Sequence, residues 1–228
     1  MRKLLTLMLL AVMFAGSAYS QFVSYGFMPS NGTYTEISGG TLFGTTTSDD
    51  QYFTDPANPT TSATTGPGAP IGFDFVFNGI TFDRIGVNNN GWIGFGQSAL
   101  TPSVNMASSS GYTPLSSTSV PAVAIHRNRI AGFARDLQAQ AGATLRVETI
   151  GTAPNRVCVI QWQNYKRYGS TGTGDVINFQ IRLNETSNTV DLVYGAMTIA
   201  STFSPEPQVG LGGTVSTEFV NRMSTTSW

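Results

Sequence analysis

The segment "WQNYKRYGSTGTGD", residues 162–175, gathers Trp162, Tyr165, Lys166, Arg167, Tyr168 and Asp175 around one loop. Flat rings that can stack on a sugar, with amides and acids to order its hydroxyls, are the chemistry of a carbohydrate site. A second polar group lies in "GVNNNGWIGFG", residues 86–96, where Asn88, Asn89 and Asn90 can add amide donors. Trp162, Tyr165, Tyr168, Asn88, Asn89 and Asn90 form the candidate ligand-binding set. Each half also has a plainer reading. Trp162 can be core, with the tyrosines capping the edge of a sheet. Asn tolerates left-handed backbone and Gly favours it, so Asn-Asn-Asn-Gly is good turn chemistry between antiparallel strands. The glycines at 86, 91, 94 and 96 make no nucleotide loop, because no helix follows to receive a phosphate.

Catalytic chemistry finds little to build on. His126 is the single histidine and Cys158 the single cysteine. A serine triad needs a base held by a third group, and no G-x-S-x-G elbow accompanies His126. Cys158 shares a strand face with Ile160 and Trp162, which reads as a small buried hydrophobe rather than a nucleophile. A glycosidase needs two facing carboxylates. Asp136, Glu148 and Glu185 are candidates because acids are few, and Glu148 reads better as a cross-strand partner of an arginine. One His and one Cys cannot complete a zinc site. Asp49, Asp50, Asp55 and Asp175 offer oxygens to calcium, but without EF-hand spacing. No catalytic residue, cofactor or metal site is assigned.

The elements that must hold these residues are strands. In "IGFDFVF", Ile71, Phe73, Phe75 and Phe77 share a face; in "VINFQIRL", Ile177, Phe179, Ile181 and Leu183 do. Cys158, Ile160 and Trp162 line one side of "RVCVIQWQN", while Val157 and Val159 begin the other, which turns polar at Gln161 and Gln163. Such alternation predicts half-buried strands. Asn78-Gly79 between Phe77 and Ile80 is a hairpin signal. The strands are expected over 22–28, 33–37, 71–77, 80–87, 91–96, 120–126, 143–150, 156–164, 175–184, 189–194 and 207–212. Ile130, Phe133 and Leu137 have helical spacing, but Gly132 counts against a helix there, at a cost of ~1 kcal/mol. Residues 54–70 and 97–119, rich in Pro, Thr, Ser and Gly, read as surface loops too poor in apolar residues to order themselves strongly.

The N-terminus reads as a secretory signal peptide. Arg2 and Lys3 precede an apolar run, and small residues lead to a cut between Ser20 and Gln21. The run is too short for a bilayer, which needs ~20 apolar residues. Residues 1–20 are therefore expected to be the leader, and 21–228 a single domain not spanning a membrane, either whole or a fragment of a longer chain. One cysteine gives no internal disulfide. With 12 basic and 13 acidic residues, two of the bases in the leader, there is no positive face for nucleic acid.

Four stretches together resemble nidogen-like extracellular domains. "VNNNGWIGFG" is similar to their "NGY-x-SFG"-type hairpin, and "IAGFARDL" to a segment ending in an acid, here Asp136. "VCVIQWQNYKRY" and "VINFQIRLNETSNTVDLVYG" resemble the two strands that follow. The similarity covers residues 73–195, with a weaker stretch at "QVGLGG". The chain also resembles N-terminal modules of large exported bacterial surface proteins. It departs from animal nidogen-like domains in lacking their cystine-rich surroundings, and in having no aromatic directly before Arg135-Asp136.

The resemblance implies a β-sandwich with an adhesive or structural extracellular role and no catalytic residues to carry over. The expected fold is all-β: two packed antiparallel sheets, jelly-roll-like, with few or no helices. The expected function is that of a secreted or cell-surface, non-catalytic adhesion or structural module, partnered by an extracellular protein or glycan. The alternatives are a carbohydrate-binding module using the loop at 162–168, and an accessory domain of a larger exported hydrolase.

Overall fold

The computed structural model describes residues 25–106, 111–115, 128–200, 206–215 and 218–222. Ser20, Gln21, His126 and the strand expected over 120–126 lie outside the described residues.

Two antiparallel sheets face each other. The smaller contains β1 (Thr41–Phe43), β9 (Leu137–Ile150), β10 (Val157–Arg167), β11 (Ile177–Asn184) and β12 (Val190–Tyr194), in the order β1-β9-β10-β11-β12. The larger contains β2 (Tyr52–Phe53), β4 (Ala69–Phe77), β5 (Ile80–Asn88), β6 (Trp92–Gly96), β8 (Arg129–Ala134), β13 (Gln208–Gly212) and β14 (Phe219–Asn221). Its order is β14-β13-β8-β6-β5, with β2 and β4 both pairing β5. A short ribbon of β3 (Thr65–Gly66) and β7 (Val104–Asn105) stands apart. The chain leaves the larger sheet for the smaller between β8 and β9, and returns between β12 and β13.

Local sequence explains most of this. In β4, burial alternates without a break along APIGFDFVF. At its end Asn78 and Gly79 take positive φ, 51° and 73°, as a tight hairpin between right-twisted strands requires. The inner faces of β10 and β11 supply Cys158, Ile160 and Trp162 against Phe179, Ile181 and Leu183. Trp162 stacks on Phe179 with ring centroids 4.7 Å apart and planes 9° from parallel.

Where the pattern fails, both faces of a strand are covered. Every residue of β8 is buried, so RIAGFA shows no alternation and its period does not announce a strand. Gly132 is needed there, since a Cβ would come within 3.0 Å of Ile181 and Phe179 in the facing sheet. The second cover comes from the supposed loops. Val104, Met106 and Leu115 are buried against Trp92 and Ala131 on the outer side of the larger sheet. The described parts of 97–119 therefore carry a small core of their own, contrary to the expectation from their polar composition. Arg129 is fully buried beneath Gly212, and no acceptor meets its Nε, Nη1 or Nη2 among the described residues. Burial pushes its pKa down to about 10.

Neither 25–28 nor 33–37 joins a sheet. Residues 33–40 instead form a strap over the outer face of the smaller sheet, held by side chains. Arg182 Nη2 donates to Thr33 O at 3.1 Å, and Gln180 Nε2 to Thr35 O at 2.7 Å. Gln161 bonds both main-chain groups of Ile37, at 2.9 and 3.1 Å. Glu148 accepts from Gly39 N, and Arg146 donates to Gly39 O, each at 3.2 Å. Glu148 thus serves the strap main chain rather than a cross-strand arginine. The hydrogen bonds of 33–37 go to upright amides and a guanidinium group rather than to a neighbouring strand. Upstream, Tyr25 Oη accepts from Asn78 N at 2.8 Å, and the Arg222 guanidinium lies over the Phe27 ring at 4.5 Å.

Candidate functional site

The Asn88–Asn90 tip of the β5–β6 hairpin neither projects into solvent nor offers its amides outward, because all three side chains are fully buried. It turns against the segments that join the sheets. Gly91 has φ of 91°, and a Cβ there would meet Phe133 O at 2.1 Å, so only glycine fits. Asn89 Oδ1 accepts from Gln51 N at 2.8 Å, and its Nδ2 donates to Leu137 O at 3.3 Å. Asn90 Oδ1 accepts from Leu137 N at 2.8 Å, and its Nδ2 donates to Asp50 Oδ1 at 2.7 Å. Asn88 Oδ1 accepts from Asn90 N at 2.7 Å. Main chain that leaves a sheet loses its ladder partners, yet must stay hydrogen-bonded when buried. Here the Asn side chains supply those partners. Trp162 joins the same knot, its Nε1 donating to Asn88 O at 3.2 Å.

Beside this knot, Asp49, Asp50 and Asp136 bring carboxylate oxygens within 4.8 Å of one another. Burial, then the charges of Asp50 and Asp136, push Asp49 up to about 6. Burial and Asp50 raise Asp136 as well. Asp49 and Asp50 were expected among loop oxygens open to calcium, and Asp136 among the candidates for a facing carboxylate pair. What joins them is the passage between the sheets, for which the sequence has no local signal.

The aromatic loop is not a stacking platform. Trp162 and Tyr165 are 0% and 1% exposed, and only Tyr168, at 49%, faces solvent. Both buried rings fall on the inward register of β10, where Tyr165 pairs Ala139 and Ile177. The expected shared face of Trp162, Tyr165 and Tyr168 is therefore corrected. Asn88, Asn89 and Asn90 are likewise removed from any ligand surface by burial. Arg167 and Asp175 close the loop internally through bonds of 2.6 and 3.0 Å. Burial opposes the Asp175 charge, but Arg167 and the Ala200 N–H outweigh it and hold this carboxyl below its usual range.

The other reactive types are also engaged. Cys158 is fully buried, and burial pushes its thiol up to about 12. Glu185 is gripped by the Arg156 guanidinium through two bonds, at 2.8 and 2.5 Å, and accepts a third from the Arg156 main-chain N–H at 2.9 Å. Asp55 caps its own turn, accepting from Ala57 N and Asn58 Nδ2.

A two-sheet antiparallel sandwich with its polar residues knotted into the crossover defines an all-β module. The family model described as NIDO related matches residues 24–228, and the chain belongs to this nidogen-related family. No curated protein and no solved structure matches it. Membership points to an extracellular module. Among the described residues no helix is long and apolar enough to cross a membrane.

Proposed function

We propose that this is a secreted or cell-surface module with no catalytic activity, which works by adhesion to an extracellular protein or as a structural element beside one. The observation that carries this reading is the family match over nearly the whole domain. The side chains agree with it. Groups of the types that do chemistry hold the fold instead: Cys158 in the core, Asp175 on Arg167, Glu185 on Arg156 and the asparagines on the crossover. The carbohydrate alternative loses its support with the burial of Trp162 and Tyr165.

The test coats beads with the domain and measures their retention on surfaces bearing extracellular proteins, glycans or albumin. A panel of ester, glycoside and peptide substrates is assayed in parallel. Retention on extracellular proteins without turnover is the expected result. Turnover of any substrate overturns the non-catalytic reading, and retention on glycans alone transfers the site to sugar chemistry.

A further inference from the structure

The strap over the smaller sheet is satisfied along one edge only. Its bonds fall on Thr33, Thr35, Ile37 and Gly39, the two-residue period of an extended chain. In such a chain the main-chain groups of intervening residues point the other way. Tyr34, Glu36 and Ser38 are those residues, and among the described residues no hydrogen bond reaches their N–H or C=O groups. The strap is thus an unpaired strand edge, of the kind that accepts another chain.

A groove of about 530 Å³ runs along residues 35–38. Ile150, Val157 and Val159 give it an apolar wall. Glu36, Glu148 and Asp191 give it acid. Arg182 is the opposing charge, and its guanidinium is already engaged with Gln180 and Thr33.

We propose that the open edge of the strap and the groove beside it form a docking track for an extended peptide of alternating apolar and basic residues, presented by an extracellular protein. The peptide adds to the strap as a strand adds to a sheet edge. Its main chain pairs with Tyr34, Glu36 and Ser38, its apolar residues cover Ile150 and Val157, and its cations face the acids. A second copy of the strap is the poorer occupant. Antiparallel pairing of two straps about Glu36 sets one carboxylate against its twin, and like charges directly opposite oppose pairing. The inference rests on the adhesive reading and gives that partner its chemistry.

The test uses a fluorescent octapeptide of alternating valine and lysine, read by anisotropy against the whole domain. Controls are the same residues in two blocks, glutamate in place of lysine, and a version N-methylated at alternate positions. The alternating lysine peptide binds, and each control loses roughly tenfold or more in affinity. Glu36→Lys weakens binding by reversing a charge. Ser38→Pro weakens it by removing a main-chain donor while sparing the bonds at Ile37 and Gly39. The idea fails if the wild-type domain ignores the lysine peptide, or holds the block and N-methylated versions equally well. It also fails if a folded Glu36→Lys variant binds as wild type does. A domain that is retained on extracellular proteins but ignores this peptide loses the track and keeps the adhesive role. One that takes the peptide and adheres to nothing does the reverse.

Discussion

Gln161 bonds Ile37 in both directions, its Oε1 accepting the Ile37 N–H at 2.9 Å and its Nε2 donating to the Ile37 C=O at 3.1 Å. The same Oε1 also receives Gln180 Nε2 at 2.7 Å, and Gln180 is fully buried. Replacing Gln161 by Leu frees the strap centre and takes one of the acceptors from the buried Gln180 amide, which keeps its bond to Thr35 O, a loss of ~1–3 kcal/mol. Hydrogen exchange should show the Ile37 and Gly39 amides losing protection while β9 and β10 amides keep theirs. Equal protection in the variant would mean that the strap is held by something other than this rung.

Two arginines give opposite predictions. Arg167 and Asp175 form a pair with side chains 6% and 0% exposed. Asp175→Ala takes the neutralising carboxylate from a buried guanidinium and should cost ~3–5 kcal/mol in urea unfolding. Because the Asp175 pKa is held low in the fold, this stability is present at neutral pH. It falls away in acid as the carboxyl is protonated. Arg129 is already alone, with no partner for its three nitrogens among the described residues. Arg129→Met should be neutral or stabilising, by up to ~4 kcal/mol. A large loss in that variant would reveal a partner that the guanidinium does hold.

Asp49 follows the reverse rule. Its folded pKa of about 6 stands above the ordinary 3.8, so the folded state holds this proton more tightly. The contribution is fully present below the ordinary value and is lost as pH rises through about 6. Asp49→Asn should therefore melt at a higher temperature than wild type at pH above about 6, and the gap should close as pH falls toward 3.8. A gap independent of pH would exclude charge repulsion as its cause.

The aromatic residues of β10 and of the loop after it separate by single substitution. Trp162→Ala removes the stack on Phe179 and the bond to Asn88 O, and should cost ~3–5 kcal/mol. Tyr168→Ala, at an exposed site, should stay within ~0.5 kcal/mol of wild type. Chemical denaturation of the two variants side by side checks both, and a destabilised Tyr168→Ala would place that ring against the fold.

What the sequence made legible was decided by how many faces of a strand are covered. β4 and β11 have one wet face, and their alternation is plain in Ile71 to Phe77 and in Ile177 to Leu183. β8 has none, and its spacing of Ile130 and Phe133 mimicked a helix. The burial of Cys158 was readable because Ile160 and Trp162 mark the same side. The polar turn of that strand at Gln161 was readable too, but its reason was not. Gln161 meets a segment far back in the chain, and nothing near either residue records the pairing. Asn88, Asn89 and Asn90 misled for a related cause. Amides read as ligand donors until the irregular backbone they satisfy, at residues 51 and 137, is seen beside them.

The strap passes from β11 over β10 to β9, with a separate side-chain rung at each odd residue. Once Tyr25 and Phe27 have let go, tension entering the chain ahead of Thr33 meets these rungs one at a time, beginning at Arg182, and peels them rather than shearing them together. Each residue released lengthens the tether by ~3.3 Å, while the sandwich below stays shut. A molecule tugged from that side gives way in small steps before its two sheets part.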